Sequence, residues 1–146
     1  MICGAARRTI NPEPGHPMAG YAGDILCTGV HDDIVVSALY LNDNQREALL
    51  LCFDLLFTPV ELERRLRKAA ARATGVPPEN IVCTSTHTHS GPNIKADNAP
   101  DPDMIRRYLR RLARSTAEAA AEAKSIAEPC ELRYNFTTAA VNMNRR

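Results

Sequence analysis

The sequence predicts an α/β fold: a mixed sheet with βαβ crossover units and helices packed on it. Three observations carry that expectation. Ala48-Leu49-Leu50-Leu51-Cys52-Phe53 is apolar without alternation, as in a strand covered on both faces. A helix-period pattern with start and stop signals follows it, and a short apolar strand, Asn80 to Thr84, comes after that. Strand, helix and strand in this order make a βαβ unit, with parallel strands joined by a right-handed crossover.

Taken in order, Ile2 to Ile10 reads as a first strand. Residues 11–33 hold Pro12, Pro14, Pro17, Gly15, Gly20, Gly23 and Gly29, a density that means a long ordered loop with little regular structure. It ends at Gly29-Val30-His31-Asp32-Asp33, a polar turn or the edge of a site. Ile34 to Leu41 is rich in β-branched residues and reads as a strand. Asn42-Asp43-Asn44-Gln45 turns the chain into the apolar run above, and the two strands form a hairpin. That run stops at Asp54, a helix cap, a loop brace or a pocket carboxylate.

Thr58-Pro59-Val60-Glu61 reads as a helix start, with Thr58 as cap, Pro59 at the first helical position and Glu61 completing a capping box. Leu62, Leu66, Ala69, Ala70 and Ala73 form its apolar stripe. Arg64, Arg65, Arg67, Lys68 and Arg72 lie largely off it, as a solvated face. Gly75 and then Pro77-Pro78 end it. A second helix starts at Asp101-Pro102-Asp103 and runs to about Ala127, burying Ile105, Leu109, Leu112, Ala113, Thr116, Ala117 and Ala120. Leu132, Tyr134 and Phe136 then alternate with charged and polar residues, the pattern of a half-exposed strand. Nothing caps the segment that follows, which reads as though cut.

Thr84-Ser85-Thr86-His87-Thr88-His89-Ser90-Gly91-Pro92 is the stretch where chemistry concentrates. On strand geometry His87 and His89 share one face, with Thr88 pointing away. Such a pair can present both rings to one ion or substrate, since imidazole is a common neutral metal ligand. It can equally be a solvated or hydrogen-bonded loop pair. Parallel strands put Asp54 and His87 at the same sheet edge, where open α/β sheets bind ligands.

Composition narrows the classes. At 146 residues and 45% hydrophobic, the chain is one domain's worth with a packed core. Its net charge of +1, from 18 basic and 17 acidic residues, gives no electrostatic case for nucleic acid or an anionic membrane. No apolar run is long enough for a transmembrane segment. The N-terminus lacks signal-peptide order. Cys3, Cys27, Cys52, Cys83 and Cys130 form no C-x-x-C pair and read as reduced, buried thiols, so the expected localisation is cytoplasmic.

Ile10-Asn11-Pro12, Met18-Ala19-Gly20-Tyr21-Ala22, Gly29-Val30-His31-Asp32, Phe53-Asp54-Leu55-Leu56, Thr86 to Pro92 and Asn144-Arg145 occur in an order that resembles the N-terminal part of the neutral/alkaline, non-lysosomal ceramidase family. The resemblance covers essentially residues 1–146 and is most specific at the histidine motif. It implies an incomplete N-terminal part of a larger catalytic domain, and a zinc-dependent amidase (cofactor Zn2+) cleaving the N-acyl bond of ceramide or a related lipid or small-molecule amide. It implies that His87 is a zinc ligand and that His89 lies beside the metal, contacting substrate or oxyanion. Arg145 would orient substrate, and His31, Asp32 and Asp54 would lie near the pocket. The resemblance places another His, a Glu, a Tyr and a catalytic Ser beyond this stretch. The chain alone is therefore expected to be inactive, and to self-associate through surface left by the missing part. Two alternatives stay open. One is another His-x-His metallohydrolase, with Asp32 and Asp54 at a dinuclear site. The other is a non-catalytic α/β ligand-binding module.

Overall fold

The computed structural model describes residues 1–21, 25–95, 101–141 and 143–144. Its elements are β1 (Ile2–Thr9), β2 (Val35–Asn42), β3 (Glu47–Phe53), α1 (Val60–Thr74), β4 (Ile81–Ser85), α2 (Pro102–Ser125) and β5 (Glu128–Pro129). The sheet order is β4-β3-β2-β1-β5, mixed, with β3 and β4 parallel and the other pairs antiparallel. The expected fold class holds, and so does the βαβ unit β3–α1–β4.

Both helices pack on one face of the sheet. Val36, Ala38 and Tyr40 of β2, Leu49, Leu51 and Phe53 of β3, and Ile81 of β4 point into that core. They meet Leu62, Leu66 and Ala70 of α1, and Tyr108, Leu112, Ala119, Ala120 and Ala123 of α2. Each large side chain so buried contributes about 1.5–3 kcal/mol over leaving it exposed. Where α2 crosses β1 the backbones nearly touch: a Cβ on Gly4 would stand 2.1 Å from the Ala123 carbonyl oxygen. Lys124 ties the end of α2 to the hairpin and to α1, donating to Glu47 Oε2 (2.8 Å) and to the Thr74 carbonyl (2.9 Å).

Among the described residues, no helix packs on the opposite face of the sheet. Leu39, Leu50 and Val82 are exposed there, with Ala5, Arg7, Cys52 and Thr84 lining the same groove or strands. Among the described residues, the uninterrupted apolar run of β3 therefore has a cover on one side only.

Several local expectations are corrected. Thr58 does not cap α1: Pro59 holds that position without a side-chain bond, and the Thr58 hydroxyl instead bonds Ser85 Oγ at 2.7 Å. That bond ties the loop after β3 to the end of β4. Ala73 is exposed and Ala69 only half-buried, because α1 turns a narrow Leu62/Leu66/Ala70 line to the core. The stripe of α2 is rotated toward Tyr108 and Ala119, leaving Leu109, Ala113 and Ala117 half-buried. The Tyr108 hydroxyl reaches the Ile10 carbonyl (2.9 Å), which sets the helix's rotation. α2 also stops at Ser125. Residues 131–141 form no strand despite their alternation, and Leu132, Tyr134 and Phe136 are exposed. Pairing of β5 with β1 runs Cys3 to Ile2 against Glu128 to Pro129, so the chain beyond Cys130 passes the start of β1 and has no strand to bond. Of the five free cysteines, only Cys27 is buried and the rest are half-buried, since Cys3 and Cys52 face away from the helices. Gly75 (φ +77) and Asp101, whose carboxylate accepts from Met104 N at 2.9 Å, terminate and start their helices as expected. Among the described residues, no helix is long and apolar enough to cross a membrane.

Candidate functional site

Phe53 pairs with Ser85 in the parallel β3–β4 ladder, so Asp54 and the histidine motif leave the sheet at one edge. The ladder continues irregularly past the strand ends. Thr86 N–H donates to the Phe53 carbonyl at 3.0 Å and His87 N–H to the Leu55 carbonyl at 3.1 Å. Asp54 braces the start of β2: its Oδ2 accepts from Val35 N–H at 2.9 Å and its own N–H donates to the Val35 carbonyl at 3.0 Å.

His87 does not lie on a strand. Its φ is +63, a left-handed conformation uncommon for a residue with a Cβ, and β4 has already ended at Ser85. The two rings nevertheless meet, with centroids 5.3 Å apart and planes at 75°. Strand periodicity is therefore not what brings them together. Each ring is pinned by a backbone carbonyl instead: His87 Nδ1 to Leu56 O at 2.7 Å and His89 Nδ1 to Gly20 O at 2.8 Å. A carbonyl only accepts, so both Nδ1 atoms carry a proton and each neutral ring leaves Nε2 as an unprotonated lone pair. Both histidines are exposed. The arrangement, two side-by-side imidazoles with tautomers set by carbonyls, is how proteins prepare histidines for a metal or a proton.

The long loop supplies the second anchor. Residues 15–18 pair with 25–27 through Gly15 N to Cys27 O, Cys27 N to His16 O and Met18 N to Ile25 O. The loop is then stitched to the motif by Ala19 N to Gly91 O (2.9 Å) and Asn93 N to Pro17 O (2.7 Å). Gly20 has φ +99, and a Cβ there would lie 2.7 Å from His89 Cγ, so only glycine lets its carbonyl reach that ring. Tyr21 stands edge-on to His89 at 5.6 Å.

His16, within the long loop, is buried at 1% exposure. Its Nε2 donates to the Asn93 carbonyl at 2.8 Å, its ring lies 5.1 Å from that of Tyr108, and its Nδ1 has no partner among the described residues. Desolvation pushes its pKa below the ordinary histidine value; the Asn93 bond and Glu13 oppose this, while Arg111 adds to it. Arg111 and Tyr108 hold the start of the same loop, through Asn11 O, Glu13 Oε1 and Ile10 O.

His31 and Asp32 bond to each other at 2.8 Å and are almost wholly exposed. They line a cleft of about 510 Å³ with Asn11, Met18, Thr88 and Ser90, on the side of the motif that carries Thr88. The cleft lining does not include His87 or His89. Asp54 and Asp32 are thus each engaged elsewhere. Among the described residues, no group of three or more His, Cys, Asp or Glu could hold a metal. Arg145 lies outside the described residues. Gly20 and the carbonyls of Leu56 and Gly91 are the parts sequence reasoning missed. Gly20 sat in plain view within Met18 to Ala22, but nothing in a sequence marks which carbonyl meets a ring.

No protein-family model matches the sequence, and no curated protein matches it. The backbone is similar to the crystal structure of neutral ceramidase from Pseudomonas aeruginosa, with a TM-score of 0.74 and 20% identity over 88% of this chain and 22% of that one. It is likewise similar to a structure described as ceramidase complexed with C2, with a TM-score of 0.71, 20% identity and the same coverage. This chain spans about a fifth of the length of those proteins, and it has the fold of that part of neutral ceramidase.

Proposed function

We propose that this chain carries one part of the active site of a zinc-dependent amide hydrolase acting on ceramide or a related N-acyl lipid. The observation that supports the reading most is the pinning of both Nδ1 atoms to carbonyls, which leaves Nε2 as the lone pair of each of two exposed rings with centroids 5.3 Å apart. The fold shared with neutral ceramidase supports the substrate class.

His87 would hold the zinc through Nε2, and His89 would face the substrate carbonyl beside it. A catalytic zinc takes three protein ligands, so the set is completed by groups outside the described residues. Bound zinc supplies Lewis acidity and a water deprotonated near neutral pH. His89 can pass a proton at Nε2 or donate to a developing oxyanion once protonated there, and its Gly20 anchor keeps the ring from turning. Arg145 orients substrate on this reading. His31 and Asp32, on the Thr88 side of the motif, and Asp54, as the brace behind it, act at greater remove. The sheet face with Leu39, Leu50 and Val82 is where self-association would occur.

Zinc titration of the purified chain, followed by NMR of the imidazole nitrogens, tests this. Nε2 of His87 and His89 should shift together while both Nδ1 remain protonated, and His87→Ala should abolish the effect. Zinc that perturbs His31 or His16 and leaves His87 untouched would sink the reading. Ceramide hydrolysis by this chain alone would instead show that no further ligands are required.

A further inference from the structure

Cys3 and Cys130 are brought together by the sheet, outside the histidine site. In the β1–β5 pairing Cys3 is opposite Glu128, and opposed residues of antiparallel strands share a face. Cys130 is two residues beyond Glu128 and is held by its N–H on the Met1 carbonyl at 3.1 Å. It therefore projects on the same face as Cys3, diagonally across from it. Both thiols are free and half-buried. The hydrogen bond that the Cys3 thiol donates to the Cys130 side chain, with a smaller desolvation effect, pushes the Cys3 thiol above its ordinary pKa.

We propose that Cys3 and Cys130 form a reversible disulfide site, which staples the segment after β5 to the edge strand β1. The remaining attachment there is slight. β5 is two residues long, and residues 131–141 beyond it are exposed, including Leu132, Tyr134 and Phe136. A two-residue edge strand can yield the backbone movement that closing an S–S bond of about 2.0 Å requires.

The oxidant is a low-molecular-weight disulfide such as oxidised glutathione. Cys130 attacks first, losing its proton, forming a mixed disulfide and releasing one glutathione thiolate. Cys3, once deprotonated, attacks the Cys130 sulfur, forms the protein disulfide and releases the second thiolate. Two protein thiols are oxidised and one glutathione disulfide is reduced to two thiols, which take up the two protons. The other cysteines are set apart. Burial holds Cys83 up to about 11 and raises Cys52, and Cys27 is buried beside the Gly29 carbonyl.

The test is equilibration of the full chain in glutathione buffers of graded redox ratio, acid quenching, and peptide mapping by mass spectrometry without reduction. One linked peptide pair, Cys3 with Cys130, should rise with oxidation, and dithiothreitol should reverse it. Cys27, Cys52 and Cys83 should stay alkylatable in unfolding buffer after the quench. Oxidation should also raise the urea midpoint, a shift that Cys130→Ser removes. Glutathione mixed disulfides alone, linkage of Cys3 to a different cysteine, or two free thiols at every ratio would each overturn the proposal. The mapping uses the unaltered chain, so misfolding of the variant cannot obscure the result.

Discussion

The helix-covered face of the sheet and the histidine loop at its edge are ordered by different forces. The first is held by apolar burial spread over many residues, including Phe53, Leu66 and Leu112. The second holds two exposed rings in place with a few backbone carbonyls, a strained turn at His87 and one obligatory glycine. Stability should therefore be most sensitive in the first region and function in the second. Mutations chosen to separate the two make the contrast testable.

The largest effect is expected at Gly4. Its would-be Cβ meets a backbone oxygen at 2.1 Å, and a helix backbone cannot swing aside as a side chain can. Gly4→Val should cost about 3 kcal/mol in urea unfolding, the upper part of the range for overpacking. What zinc response remains in the folded fraction should be unchanged. A midpoint like that of the unaltered chain would show that α2 is not seated on β1 as described.

Next comes Gly20→Ala, on the other side of the comparison. A left-handed φ and a clash with the His89 ring together predict a loss of about 1–3 kcal/mol. The distinctive signature is local: His89 Nδ1 should lose its slowed proton exchange while α1 and α2 amides keep theirs. Uniform loss of protection across the helices would mean that the loop is part of the core after all.

These two glycines also show what a sequence does and does not display. The βαβ unit, the Gly75 stop and the Asp101 cap were legible because each rests on a local pattern: periodicity, a left-handed residue, a side chain reaching its own helix. The meeting of His87 and His89 was anticipated for the wrong reason. The i, i+2 rule assumes an extended strand, whereas β4 ends first and the carbonyls of Leu56 and Gly20 aim the rings from 31 and 69 residues away. The tail failed in the opposite sense. Leu132, Tyr134 and Phe136 have the alternation of a strand, but alternation needs a neighbour to bond, and the chain passes the start of β1 at Cys130. Thr58 looked like a cap because its sequence neighbours suit one, yet Ser85 competes for its hydroxyl across 27 positions.

A smaller change separates strain from function within the loop itself. His87→Gly removes a left-handed side chain, a gain of about 1 kcal/mol, and also removes the bond to Leu56 O, a loss of similar size. The urea midpoint should therefore move by less than about 1 kcal/mol while zinc binding disappears. A large destabilisation would make His87 a structural residue and weaken the contrast drawn above.

The smallest predicted effect joins the two regions, because His16 lies between the core and the site. Its ring is buried against Tyr108 of α2, and its Nε2 holds Asn93, just beyond the motif. Desolvation lowers the folded pKa below the ordinary histidine value of 6.5, so at pH values just under 6.5 the unfolded chain binds more protons than the folded one. Stability contributed by neutral His16 is then complete above 6.5 and declines as pH falls through 6.5 toward the folded pKa, by no more than about 1.4 kcal/mol per pH unit for one group. Arg111 favours the neutral ring and Glu13 the charged one, and no group among the described residues accepts a second proton's hydrogen bond from Nδ1. His16→Gln keeps an amide donor for Asn93 without a titrating group. Between pH 7.5 and 5.5 it should lose less stability than the unaltered chain, the other histidines being common to both. Below pH 6.5 the Ala19 and Asn93 amides, which bond Gly91 and Pro17, should exchange faster in the unaltered chain only. Equal pH slopes in the two proteins would show that His16 does not latch the long loop to the motif.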